Sequence, residues 1–215
     1  MKRLAALFLT ACVLLFGCTN ATSHSRAVYL LMDTSGTYAL ELHKAQAIIN
    51  YLLGTLQPGD SLAVARIDTG SFSEKNIVDK VTFDGRPSLC NAQKRTFSKK
   101  VDDFVSHVKG SAYTDISGGV LQAVEFLKET GAGSQTILIY SDLEEDLKPG
   151  YVRNFRIKMP GVQVVALNVT KLRQDNVDPR KYLERLANWK AKVEAGGGTW
   201  RVINDLDRPE RILGN

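Results

Sequence analysis

Short apolar runs alternate with longer segments of helical periodicity along most of the chain. The apolar runs predict β-strands near residues 26–32, 62–67, 77–83, 136–140, 162–169 and 200–203. Segments in which apolar residues recur every three or four positions predict helices near residues 38–56, 97–108, 116–127 and 179–193. Because strands alternate with helices throughout, the pattern predicts an α/β fold, a doubly wound and mostly parallel sheet of about six strands with helices on both faces.

Local signals refine this outline. The run at 136–140 is the most apolar of the short runs and is predicted to be central, whereas the mixed alternation of 77–83 favours an edge strand. Residues 85–94, which include Pro87 and Cys90, are predicted to form a loop. Asp178 followed by Pro179 is a typical helix start, since Asp caps free N–H groups and Pro fits the first helical position.

Oxygen-bearing side chains stand where two predicted strands end and where one helix begins. The first strand runs into Asp33-Thr34-Ser35-Gly36-Thr37, the central strand runs into Ser141-Asp142, and Thr114 precedes the helix near 116. The carboxyl ends of parallel strands share one rim of an open sheet, which is where such sheets bind ligands. Hydroxyls and carboxylates are ligands that suit Mg²⁺. The sequence therefore predicts that these pieces meet at a divalent metal site.

A simpler explanation competes for each piece taken alone. Asp, Ser and Thr at a strand-to-helix junction are also common capping residues, and for the first motif alone capping is the simpler account. The presence of all three pieces in the expected order along the chain favours a metal site over capping. Asp115 is expected to cap the helix that follows it, the alternative being that it supports a metal ligand. Glu144-Glu145-Asp146 is expected to be a solvated loop rather than a source of further ligands.

The pattern Asp33-x-Ser35-x-Thr37, with a later Thr114 and a strand-terminal Asp142, resembles the metal-ion-dependent adhesion site of von Willebrand factor type A domains, a Rossmann-like family shared with integrin inserted domains. The resemblance implies hydroxyl ligands from Ser35, Thr37 and Thr114, and carboxylates from Asp33 and Asp142. It further implies Mg²⁺ or Mn²⁺ as cofactor and a protein partner whose acidic side chain completes the coordination. From this resemblance we expect an adhesion or assembly module of the cell envelope, and we expect no catalysis.

The resemblance extends over roughly residues 26 to 205 and departs from the family pattern at three positions. Thr37 stands where the family usually has Ser, which keeps the hydroxyl. Tyr113 and Leu143 stand where Gly is common or frequent, and their bulk is expected to narrow access to the metal.

The first segment is predicted to be a targeting signal. Lys2-Arg3 precedes an apolar stretch too short to span a bilayer comfortably, and Leu15-Phe16-Gly17-Cys18 resembles a bacterial lipobox. The predicted organisation is a signal peptide (1–17), a lipidated Cys18 with a linker (18–25) and one domain (26–215). Ordinary cleavage or an uncleaved anchor remain alternatives. We expect an exported protein, lipid-anchored to the cell membrane or outer membrane and facing the periplasm or exterior.

Composition limits the functional classes. The 215 residues include 44% hydrophobic and 24% charged residues, which is typical of one globular domain. Removal of the signal leaves 26 basic residues against 23 acidic ones, a net charge of +3 that is too small to indicate nucleic-acid binding. Once Cys12 is removed and Cys18 is acylated, Cys90 is the remaining thiol, so no internal disulfide is expected.

Enzyme motifs are missing from the sequence. It contains no Gly-x-Ser-x-Gly, no P-loop and no His-Glu-x-x-His. A metal-assisted phosphohydrolase stays open on the oxygen ligands alone, although no general base stands beside the motif. A structural domain of the same fold without metal-dependent binding is the other alternative.

Overall fold

A computed structural model describes residues 24–36 and 41–214, and these form a single six-stranded sheet. The strands are β1 (Arg26–Asp33), β2 (Ser61–Ile67), β3 (Ile77–Thr82), β4 (Ser134–Tyr140), β5 (Gln163–Leu167) and β6 (Thr199–Ile203). Their order in the sheet is β3-β2-β1-β4-β5-β6, and β3 alone runs antiparallel to its neighbour. The mostly parallel sheet, the edge position of β3 and the central position of β4 were all predicted and are confirmed.

Five α-helices belong to the described residues. They are α1 (Leu42–Thr55), α2 (Pro87–His107), α3 (Ile116–Thr130), α4 (Arg173–Val177) and α5 (Pro179–Ala195), with short 3₁₀ turns at Glu74–Asn76 and Pro209–Arg211. Within residues 24–36 and 41–214, none of these helices has both the length and the apolar character needed to cross a bilayer. The predicted signal peptide (1–17), Cys18 and Thr37 lie outside the described residues.

The sheet divides the core into two layers. Alternate residues of β1 face opposite sides, because successive side chains of a strand point to opposite faces. Val28, Leu30 and Met32 pack in the layer under α1 and α2, whereas Tyr29 and Leu31 pack in the layer under α3 and α5. Residues 27–32 of β1 are at most 1% exposed, so this strand is the centre of the molecule.

The prediction of a loop over residues 85–94 was wrong. Pro87 is the first residue of α2, where its missing N–H would have had no intrahelical partner anyway. Cys90 is buried with Phe97 and Val101 on one face of this helix. Most other positions of the first turns are polar, and Leu89 among them is exposed, so the helical period is obscured in the sequence.

Gly119 determines how closely α3 approaches β1. A Cβ atom at this position would come within 2.8 Å of Leu31 Cδ2, and Leu31 is fully buried. Gly54, in α1, provides a contrast because a Cβ there would meet no atom within 4 Å. The close contact at Gly119 places the first turn of α3 beside the carboxyl end of β1.

We therefore expect opposite effects from the same substitution at the two glycines. Gly119→Ala forces an extra methyl group into a filled core and is expected to lower the free energy of unfolding by about 1–3 kcal/mol. Gly54→Ala adds a methyl group in open space and restricts the unfolded chain, so it is expected to raise that free energy by roughly 0.5–1 kcal/mol. Chemical denaturation measures both, and equal effects would contradict the close approach of α3.

Candidate metal site

The first motif folds back on the end of β1. Asp33 is the last residue of β1 and is fully buried. Its Oδ1 accepts hydrogen bonds from the Ser35 backbone N–H at 2.8 Å and from the Ser35 hydroxyl at 2.6 Å. The intervening Thr34 turns the other way, and its hydroxyl donates to the Ile67 carbonyl at 2.8 Å. The alternation of the strand thus places Asp33 and Ser35 together and attaches Thr34 to β2.

The end of β4 joins the same cluster. The hydroxyl of Ser141 donates to Asp33 Oδ2 at 2.6 Å and accepts the Leu143 N–H at 3.0 Å. Asp142 follows directly, is 9% exposed, and accepts the Glu144 N–H at 2.8 Å. Two positions separated by 108 residues in sequence, Asp33 and Ser141, are therefore in direct contact.

The Thr114 loop lies against both strand ends. The Ser111 N–H donates to the Thr34 carbonyl at 2.9 Å, and Ser111 forms a short parallel bridge with Ser35. Thr114 and Asp146 exchange two backbone hydrogen bonds of 2.7 and 3.0 Å. The loop is thereby joined to the end of β1 on one side and to the segment after Asp142 on the other, and Thr114 is buried between them.

The structure thus brings four of the five predicted ligands to one rim, namely Asp33, Ser35, Thr114 and Asp142. Thr37, the fifth, lies outside the described residues. Within residues 24–36 and 41–214, no three residues of the His, Cys, Asp and Glu types are grouped so that they could hold a metal. The rim offers two carboxylates and several hydroxyls instead, so its use as a metal site stays a prediction.

The two rim carboxylates carry negative charge that no ion pair among the described residues compensates. Among the described residues, neither Asp33 nor Asp142 forms an ion pair with a basic side chain. Burial raises the pKa of Asp33, although hydrogen bonds from Ser141 and Ser35 oppose the increase. Burial, and further the charge of Asp33, raise the pKa of Asp142 to about 6, although the hydrogen bond from the Glu144 N–H and the positive charge of Arg185 oppose the increase. A divalent cation would relieve this repulsion, so the donor set fits a metal.

The hydrogen bonds of Ser35 also suit a ligand role. Its hydroxyl donates its proton to Asp33, which leaves the oxygen lone pairs facing away from that bond. A hydroxyl held in this way presents an acceptor oxygen to a cation. The hydroxyl of Ser141 has the same donor arrangement but accepts the Leu143 N–H, so it acts as a support.

Two further carboxylates, those of Asp115 and Glu145, hold the start of α3. Asp115 accepts the Gly118 N–H at 2.8 Å, which confirms the predicted cap, and it pairs with Arg153 at 2.7 Å. Glu145 accepts the Ser117 N–H at 2.6 Å and the Ser117 hydroxyl at 3.0 Å. The prediction of a solvated loop was therefore wrong for Glu145. Both carboxylates satisfy the positive end of α3, which is no longer open to an external anion.

Helix α5 supports Asp142 from behind. Arg185 Nε donates to the Asp142 carbonyl at 2.8 Å, and Arg185 Nη2 pairs with buried Asp175 at 2.8 Å. Trp189 Nε1 donates to the Leu143 carbonyl at 3.0 Å. The sequence did not predict the roles of Arg185 and of Ser141, because their partners lie 43 and 108 residues away, beyond any local pattern.

Leu143 stands where the family often has Gly, and its backbone has a conformation that is typical of glycine. Its φ of 67° lies in the left-handed region, and its side chain is 1% exposed within the core layer under α3 and α5. The expectation that Leu143 narrows access to the rim was therefore wrong. Tyr113 is half-buried in the Thr114 loop.

Comparisons with known proteins support the fold. No protein-family model matches the chain, and no curated protein matches it. A von Willebrand factor type A structure from Catenulispora acidiphila has a TM-score of 0.54 and 13% identity, covering 89% of this chain and 41% of that one. The pilus adhesin SpaC from Lactobacillus rhamnosus GG, in an open conformation, has a TM-score of 0.52 and 11% identity, covering 91% and 30%.

This chain spans less than half the length of either structure. At such low identity the similarity shows the fold alone. The von Willebrand factor type A fold expected from the sequence is confirmed.

The raised pKa of Asp142 predicts a pH dependence of stability without metal. The folded protein holds this proton up to about pH 6, whereas the unfolded chain releases it near 3.8, so ionisation disfavours folding between these values. We expect the difference in unfolding free energy between the wild type and Asp142→Asn (wild type minus variant), measured in EDTA, to become smaller as the pH rises from 3.8 to about 6. The slope is at most about 1.4 kcal/mol per pH unit.

Chemical denaturation at each pH measures this difference. Asp103→Asn, which changes an exposed carboxylate on α2, is the matched control and is expected to give a flat difference over the same pH range. A flat difference for Asp142→Asn as well would contradict the burial of that carboxyl group.

Proposed function

We propose that this chain, with its von Willebrand factor type A fold, is an exported module of the cell envelope that binds another protein through a divalent cation, Mg²⁺ or Mn²⁺. One observation carries the proposal. Asp33 and Asp142 are two buried carboxylates at one rim of the sheet, and among the described residues neither has a basic partner. Burying such charges is costly unless a counterion compensates them.

In the proposed ligand set, the carboxylates and the hydroxyls have different roles. Asp33 and Asp142 supply the negative charge, and the hydroxyls of Ser35, Thr37 and Thr114 supply neutral oxygen ligands. When bound, the cation compensates both carboxylates and offers an open coordination position. A hard cation with oxygen ligands and one open position accepts a further carboxylate readily.

The partner we propose is a protein that presents a single exposed Glu or Asp. A divalent cation with two carboxylates is formally neutral, so one more carboxylate is tolerated there. Glu144, which is close enough to Asp142 to affect its pKa, adds negative charge beside the rim. This charge disfavours strongly acidic partners and favours one isolated carboxylate.

We assign no reaction to the rim. The hydrogen bonds of Asp33 and Asp142 come from serine hydroxyls and from backbone N–H groups, which hold the carboxylates in place. The rim is suited to holding a ligand.

The proposed attachment places the rim far from the lipid. We propose that the signal peptide (1–17) is removed and that Cys18 is acylated, so that the linker leads into the amino end of β1. Asp33 lies at the other end of that strand. Eight residues of strand separate the two ends by roughly 25 Å, so the rim points away from the membrane.

Metal binding is tested by titrating the purified protein with Mn²⁺ in a thermal or chemical unfolding assay. At a free Mn²⁺ concentration about 100 times the Kd, we expect the unfolding free energy of the wild type to rise by about 2.7 kcal/mol. Asp33→Asn and Asp142→Asn are expected to lose this rise, and Asp103→Asn is expected to keep it. A flat wild-type titration would favour a structural domain without metal.

Partner binding is tested by capture from an envelope extract in Mg²⁺. We expect a protein that the wild type retains, that EDTA releases, and that Asp142→Ala does not capture, whereas Asp103→Asn captures it normally. Free acetate at high concentration is expected to compete because it supplies the same carboxylate. Capture that survives EDTA would refute the metal-dependent mode, and phosphoester turnover lost in Asp33→Ala would identify a hydrolase instead.

A further inference from the structure

The connection from β4 to β5 differs from the other parallel crossovers of the sheet. Among the described residues, α1 connects β1 to β2, and α4 and α5 connect β5 to β6, whereas no helix lies between Tyr140 and Gln163. Parallel neighbours are usually joined by a helical crossover. Here Met159 is buried, and Ile157 is partly buried, in the core layer under α3 and α5. Residues 151–159, the crossover segment, form neither helix nor strand and therefore pack where a helix would be expected.

A cavity of about 250 Å³ lies between the crossover segment, α3 and α5. Its apolar lining comes from all three elements, with Val120 on α3, Phe155, Ile157 and Met159 on the crossover segment, and Trp189 and Val193 on α5. Pockets that enclose a whole small molecule usually measure about 300–1,000 Å³. This cavity is therefore suited to one large apolar side chain.

Large apolar residues are exposed on the same crossover segment. Val152 is 70% exposed, and Tyr151 and Phe155 are 42% and 47% exposed. Apolar side chains that are exposed close together mark interaction surfaces more often than scattered ones do. The crossover segment therefore has the character of a docking surface for a macromolecule.

The charges at the cavity indicate the chemistry of its ligand. Every charged residue that lines it is a cation, namely Arg153, Arg156 or Lys192, and Arg153 and Lys192 each pair with a carboxylate. In the part of the chain that the structure describes, Arg156 and the nearby exposed Lys158 form no ion pair. The sequence from residue 147 to residue 174 contains no Asp or Glu. The surface beside the cavity therefore carries positive charge that attracts an acidic ligand.

We propose that this cavity and the cations beside it bind an acidic segment of another protein. A large apolar side chain of that segment enters the cavity, and carboxylates on either side of it pair with Arg156 and Lys158. An anionic lipid surface is also both acidic and apolar, but a bilayer is flat, whereas the apolar lining here is concave and is formed by three separate elements. The proposal does not depend on the metal, because none of the residues proposed as metal ligands lines the cavity.

The test uses the full chain, labelled with ¹⁵N and titrated with the peptide acetyl-Glu-Glu-Phe-Glu-Glu amide. We expect a saturable shift of the Trp189 indole N–H signal, because this residue lines the cavity. Replacing the Phe of the peptide by Ala, or every Glu by Gln, is expected to weaken binding by at least about tenfold. Equal binding of either substituted peptide would overturn the proposal.

Variants test the charges and the cavity separately. Arg156→Gln with Lys158→Gln changes two exposed positions and is expected to weaken peptide binding by about tenfold or more without affecting folding. Ala195→Trp places a large side chain at the exposed end of the cavity lining and is expected to exclude the Phe of the peptide. Arg95→Gln with Lys99→Gln makes the same change of charge at exposed positions of α2, against the other core layer, and is the matched control. Unchanged binding in the charge variant, or an equal loss in the control, would refute the site whether or not Ala195→Trp folds.

A soluble lipid distinguishes the other class of occupant. Dihexanoyl-phosphatidylglycerol carries negative charge and short apolar chains, and we expect it to displace the peptide only at concentrations at least about tenfold above the Kd of the peptide. Displacement at lower concentrations would assign this surface to lipid and overturn the proposal.

The same peptide titration in EDTA and in Asp33→Asn separates this proposal from the metal-dependent function. Peptide binding that persists under both conditions shows an independent site. Binding that is lost under either condition would overturn the claim that the cavity acts separately from the rim.

Discussion

The buried carboxylate of Asp33 is the contact on which the rim depends. It ends the central strand, and its two oxygens accept the hydroxyls of Ser35 and Ser141 from two separate parts of the chain. Because a buried carboxylate must be hydrogen-bonded or compensated, these bonds fix how the ends of β1 and β4 meet. The Thr114 loop then lies against these two strand ends, whose relative position the Asp33 hydrogen bonds have fixed. The metal proposed here would occupy a frame that the apolar core positions without it.

Helix α3 begins at the rim and packs along the sheet. Its first turn is capped by Asp115 and by Glu145, and Gly119 lets the same turn approach β1 closely. Its apolar face packs on the sheet with Ile116, Val120 and Val124. The helix is therefore fixed both by the caps at its first turn and by the core along its length.

Much of the fold could be predicted because a buried strand needs apolar side chains, and a run of apolar residues is visible within each strand. The site was predictable in outline because Asp33 and Asp142 end strands that share one edge. Two features were beyond reach for a physical reason. Pro87 starts a helix whose first turns carry mostly polar residues, and Glu145 bonds to Ser117, which lies 28 residues earlier in the chain. Sequence periodicity cannot predict the contact between Glu145 and Ser117, because the two residues meet only after the chain has folded.

The hydrogen bonds from α5 to the turn after β4 link the helix to the rim. Arg185 and Trp189 hold the main-chain carbonyls of Asp142 and Leu143, so one rim carboxylate is attached to a helix whose outer surface faces solvent. Two hydrogen bonds thus couple the position of the Asp142 backbone to that of the helix, so any displacement of the helix would also move this carbonyl.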